Sequence, residues 1–93
     1  MFLILIEYMV PFAEVEPHIP AHIEFVRKYY SEGRFLLTGK KIPRTGGVIL
    51  ANGNSKEELT ELLKEDPFVK YGVAGFDLIE IELSQVSTSL LKY

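Results

Sequence analysis

The chain has 93 residues, 47% of them hydrophobic, with 10 basic and 13 acidic side chains, a formal net charge of -3 and no cysteine. That length suits one small domain, and the missing basic excess argues against a nucleic-acid or anionic-membrane binder. Without cysteine there is no disulfide, no thiolate metal site and no cysteine nucleophile.

The first residues, MFLILIEYMV, are apolar but short. Glu7 interrupts them and no basic residue precedes them, which fits neither a signal peptide nor a membrane span of about 20 apolar residues. A cytoplasmic location is therefore the default expectation. Residues 2–8, FLILIEY, run without alternation, as a strand covered on both faces does. MVPFAEVEP breaks the pattern.

A helix is predicted over 17–32. Ile19, Ile23, Val26 and Tyr30 recur at helical spacing and make one apolar stripe. Pro17 and Pro20 are tolerated in a first turn, whose backbone N–H groups have no intrahelical partner, and Gly33 is the expected stop.

RFLLTGK (34–40) reads as a second strand, KIPRTGG as a turn and GVILAN (47–52) as a third strand. A second helix opens at Ser55, which can accept from the backbone N–H of Glu58 while Glu58 reaches back to Ser55. Leu59, Leu62 and Leu63 give it an apolar face. DPFVKYG reads as one more helical turn, with Asp66 as N-cap, Pro67 in the first position and Gly72 as stop. In GFDLIEIEL (75–83), Ile79, Ile81 and Leu83 alternate with Glu80 and Glu82, so a half-exposed fourth strand is predicted. SQVSTSLLKY (84–93) is a tail.

The order β-α-β-β-α-β has a standard solution, a ferredoxin-like α+β fold: a four-stranded antiparallel sheet with two helices on one face. Its first and third strands are central, which agrees with their continuous apolar runs. Helices cover only one sheet face, so the other face needs a partner. The expectation is a homodimer whose sheets pack face to face, with Val86, Leu90 and Leu91 of the tail reaching over the partner.

Both histidines of the chain, His18 and His22, lie four apart in EVEPHIPAHIEF. The spacing invites a metal pair, but no glutamate stands where H-E-x-x-H would have one, and no third ligand at diagnostic spacing is evident. No metal is expected, and His18 is read as an exposed first-turn residue. His22 can be a partly buried structural histidine or a general base, since an ordinary pKa near 6.5 suits proton transfer. Asp66 is explained as a helix cap, yet one carboxylate oxygen could cap while the other faces His22. Lys40, Lys41 and Arg44, with Thr45, Gly46 and Gly47, could hold a carboxylate or phosphate, or could simply be solvated hairpin charges. Tyr8, at the end of the first strand, could line a pocket there or be an ordinary strand aromatic, and the second reading is preferred.

Taken in order and spacing, HIEFVRKYYSEGRFLLTGKKIPRTGGVILA and SKEELTELLKEDPFVKYGVAGFDLIEIEL resemble the YCII-like (YCII-related) family over about residues 2–83. The resemblance implies a ferredoxin-like fold of the dimeric α-β barrel type and an active site built on a His–Asp dyad. The histidine falls on His22, in AHIEF, the aspartate on Asp66, in DPF, and the family's Ser/Thr-Gly corner on Thr38 and Gly39. Many members carry an arginine where this chain has Ile19 and a proline where it has Lys40, so the ligand here differs or is held by Lys40 or Arg44. Varied activities accompany the family, with lyase, isomerase and dehalogenase chemistry on small ring-derived or lactone-like compounds as the neighbourhood.

The resulting expectation is one domain over 1–83 with a tail over 84–93. It is a homodimeric enzyme acting on a small, anionic molecule. His22 serves as general acid/base, Asp66 orients and charge-stabilises it, and Thr38, Gly39, Lys40 and Arg44 bind the ligand. No cofactor, nucleic acid or membrane is expected. The alternative is a non-catalytic dimeric module that binds a small ligand or a partner.

Overall fold

Alternation of burial, not mere apolarity, sets how the strands sit. In the computed structural model, which describes residues 1–92, β1 (Phe2–Tyr8) buries Phe2, Ile4 and Ile6 and leaves Leu3 and Leu5 half-buried. β1 pairs antiparallel with β3 (Gly46–Ala51) on one side and β4 (Ala74–Glu80) on the other. β2 (Phe35–Lys40) pairs with the outer edge of β3, and the sheet order is β2-β3-β1-β4. The fold is the ferredoxin-like α+β arrangement, with the two strands of continuous apolar sequence, β1 and β3, at its centre.

The helical layer comprises α1 (Phe12–Val15), a 3-10 turn (Glu16–His18), α2 (Ile19–Ser31), α3 (Lys56–Leu63) and α4 (Pro67–Lys70). Helical backbone thus begins at Phe12, within the segment read as a pattern break, and α2 starts two residues later than the predicted helix. Gly33 and Gly72 take positive φ and end α2 and α4, as their positions predicted. Ser55 accepts from the Glu58 N–H at 3.1 Å. Glu58 does not return to Ser55: its carboxylate takes the Asn54 N–H and the Arg34 guanidinium instead.

Two predicted faces are shifted. On α2 the core-facing residues are Phe25 and Tyr29, which join Phe35 in an aromatic cluster, whereas Ile23 and Tyr30 are exposed. On β4 the inward residues are Ala74, Phe76 and Leu78, and Ile79 faces away. The reason is register. Leu78 lies opposite Ile4 on the helix-covered face, and Ile79 lies opposite Leu3 on the other. The uncovered face therefore carries Leu3, Leu5, Leu37, Val48, Leu50 and Ile79.

β4 ends at Glu80, three residues short of the predicted end, although the Ile81 N–H still bonds to the Met1 carbonyl at 2.9 Å. Beyond it, Thr88–Lys92 forms an exposed 3-10 turn. Tyr93, the last residue of the expected tail, lies outside the described residues. No helix among the described residues is long and apolar enough to cross a membrane.

Candidate functional site

Asp66 closes the loop after α3 in extended backbone (φ -65, ψ 123) and starts α4. Pro67 follows it at a position where a missing N–H costs nothing. The Asp66 Oδ1 atom accepts from the Phe68 N–H at 3.0 Å, the capping bond that the Asp-Pro pair predicts. The same oxygen lies 2.8 Å from Nδ1 of His22. So one oxygen both caps the helix and meets the histidine. The other oxygen, Oδ2, is enclosed and has no hydrogen-bond partner among the described residues.

Asp66 is fully buried and the His22 side chain is 17% exposed, so one member is sealed and the other reaches the surface. A carboxylate only accepts, which puts the histidine proton on Nδ1 and leaves Nε2 without a protein partner among the described residues. The imidazole lies flat on Phe68, with centroids 3.9 Å apart and planes 6° from parallel. Helix cap, carboxylate and aromatic platform thus come from one short segment, Asp66–Phe68, and together they fix the ring.

His22 lines a cleft between α2 and the β2–β3 hairpin. The cleft has a wider lobe of about 500 Å³ and a narrower one of about 200 Å³. Ile6, His22, Ile23, Gly39, Lys40 and Gly47 border both lobes. Thr38 and Arg27 border the wider lobe, and Tyr8, Arg44 and Phe68 the narrower. A Cβ at Gly46 would overlap the Ile6 carbonyl, so only glycine lets β3 approach β1 at the narrow lobe.

The fold therefore gathers His22, Thr38, Gly39, Lys40 and Arg44 around one cleft, with Asp66 buried behind His22. Lys41 is not among the cleft residues, and its N–H closes the hairpin onto the Gly46 carbonyl. His18 stacks on Tyr71 with centroids 4.8 Å apart and borders neither lobe. No group of three or more His, Cys, Asp or Glu that could hold a metal ion is found among the described residues.

Sequence reasoning passed over Phe68 and Arg27, and for Tyr8 it preferred a strand aromatic to a pocket residue. Tyr8 is more than a strand aromatic. Its hydroxyl accepts from Nε of Arg44 at 3.3 Å, and its ring packs edge-on against Phe68. Arg44 also lies over the Phe12 ring, 4.8 Å from its centroid. Chain parity placed Tyr8 at the end of β1, but the meeting with a residue of the hairpin turn is a tertiary fact that no spacing reports.

The Tyr29 hydroxyl lies 2.8 and 2.7 Å from the two Glu65 carboxylate oxygens; its one proton, shared between them, holds the Glu65 carboxyl below its ordinary value, and burial pushes the Tyr29 hydroxyl up. The Arg34 guanidinium likewise holds Glu58 low.

A family profile described as YCII-related domain matches residues 1–82. The chain belongs to the YCII-related family. Nothing among curated proteins matches it. A solved structure it resembles is the 5-chloro-2-hydroxyhydroquinone dehydrochlorinase TftG of Burkholderia phenoliruptrix AC1100, in complex with 2,5-dihydroxybenzoquinone. The TM-score is 0.76 at 17% identity, over 89% of this chain and 94% of that one. The likeness is one of fold.

Proposed function

We propose that this YCII-related protein is a small-molecule enzyme that moves a proton between substrate atoms, with His22 as general acid/base and Asp66 as its orienting counter-charge. The single observation that carries the reading is the 2.8 Å bond from His22 Nδ1 to a fully buried carboxylate, beside a cleft that the ring itself lines. Nε2 takes a proton from an acidic C–H or O–H of the substrate. The bonding electron pair stays on the substrate, and the imidazolium is stabilised by Asp66 until the proton is returned at a second atom or to a leaving group. Return at another carbon gives isomerisation. Departure of a group with the electron pair gives elimination, and the dehydrochlorinase with the similar fold makes elimination from a hydroxylated ring a reasonable first reaction to try.

Lys40 and Arg44 supply positive charge for an acid group, and Thr38 a hydroxyl, while Gly47, opposite Ile6 on the helix-covered face, keeps the cleft floor low. The biological unit is a homodimer in this reading, its two sheets covering each other through the apolar face of Leu3, Leu5, Val48 and Leu50.

The test is a turnover screen over small hydroxylated or halogenated aromatic acids and lactones, run on wild type, His22→Gln and Asp66→Asn. Turnover by wild type that His22→Gln lacks, with the variant folded by circular dichroism, supports the proposal. A ligand that binds equally to wild type and His22→Gln and is never turned over would instead make the protein a binding module.

A further inference from the structure

We infer that the cleft selects an elongated dianion, a compound with an acid group at each end of an apolar body. The inference rests on the acid–base reading for placing the reacting atom at His22, and it extends that reading to the substrate class. The chain carries more acids than bases, 13 against 10, yet no Asp or Glu borders either lobe of the cleft. Three cations do, and none of them is in the ion pairs of the described residues. They are also separated. Arg44 borders only the narrower lobe, Arg27 only the wider one, and Lys40 and His22 border both.

Arg44 is held in place by the Tyr8 hydroxyl and the Phe12 ring, so one end of the cleft has a pre-positioned guanidinium. Arg27 stands one helical turn beyond Ile23 on the same side of α2, which continues the cleft wall. Arg27 lies five positions after His22, about 7.5 Å along a helix axis, which sets the scale between the reacting atom and the second acid group. Between the charged ends the walls are apolar: Ile6, Ile23, Val26 and Ile49. This also explains the exposed side of α2. Ile23 is turned away from the core and lines both lobes, while Ile19 and Val26 pack against the core and also border the cleft.

Isothermal titration at low ionic strength tests the idea with matched acids: benzoate against terephthalate, phenylacetate against 4-carboxyphenylacetate, and hexanoate against glutarate, adipate, pimelate and suberate. At least one diacid is expected to bind wild type about tenfold or more tightly than its monoacid counterpart, the gain of one further charge-assisted contact. Arg27→Gln should bring that ratio to about one. Equal binding of monoacids and diacids, no binding of any diacid, or a ratio that persists in Arg27→Gln would each overturn the inference. The two readings fail separately. A diacid preference without any His22-dependent turnover keeps the two-ended cleft and removes the catalytic proposal. His22-dependent turnover of monoacids alone does the reverse.

Discussion

A buried carboxylate with one oxygen unpaired is expensive, on the order of 1–3 kcal/mol for the missing bond. A helix cap does not require it, because a half-buried serine caps α3 in the same molecule. Asp66 therefore carries more than capping explains. Asp66→Asn separates the two roles. Its amide oxygen can keep both the Phe68 N–H and the His22 bond, while the negative charge is gone. Under the proposed mechanism, turnover should fall about a hundredfold or more while far-ultraviolet circular dichroism stays native. The structure also changes what His22→Ala means. Because the ring stacks on Phe68 and bonds to a sealed carboxylate, its removal lowers stability whether or not His22 is catalytic. A melting temperature cannot tell the roles apart, and kinetics must. At this scale the Asp66 cap was legible, since Asp-Pro before a helical turn has a local cause. The flat stack of His22 on Phe68 was not, because it needs two segments 46 positions apart to be placed by the whole fold.

Among elements, the helix stops and N-caps were readable, while the start of the helical layer, the end of β4 and the facing of two elements were not. Gly33, Ser55, Asp66 and Gly72 act through their own backbone, so sequence suffices. The face of α2 was misassigned because a helix beside a cleft has two apolar sides, one for the core and one for the ligand. The parity of β4 was misassigned because both faces of this sheet are apolar, which removes the contrast that normally fixes register. One contact between elements gives a pH prediction. Arg34, before β2, pairs with Glu58 of α3 at 2.6 Å and lowers the Glu58 pKa from its ordinary 4.5. A depressed carboxyl stabilises the fold above its unfolded pKa and loses that contribution as pH falls through the folded value. Wild type should melt above Glu58→Gln at neutral pH, and the gap should close below about pH 4.5. A gap that stays constant down to acid pH would mean that the pair contributes packing rather than charge.

For the molecule as a whole, the topology was legible because each strand and helix carried its own pattern and the order left one standard arrangement. The apolar outer face followed from the same reasoning: four central positions, Leu3, Leu5, Val48 and Leu50, face away from the helices. If a second copy covers them, light scattering coupled to size exclusion should give twice the chain mass of 10.6 kDa at micromolar concentration. Leu5→Lys together with Val48→Lys should return the chain to monomer. A wild-type monomer at that concentration would remove the dimer and leave the sheet face unexplained.

In the proposed mechanism Asp66 holds the proton of His22 on Nδ1 so that Nε2 is free to exchange one with a ligand. Nitrogen-15 NMR of the His22 side chain measures this without knowing the substrate. The Nδ1–H tautomer is expected at neutral pH, with the Nε2 resonance moving when a cleft-binding anion such as terephthalate is added. An Nε2–H tautomer, or an Nε2 resonance indifferent to every anion that binds, would contradict it.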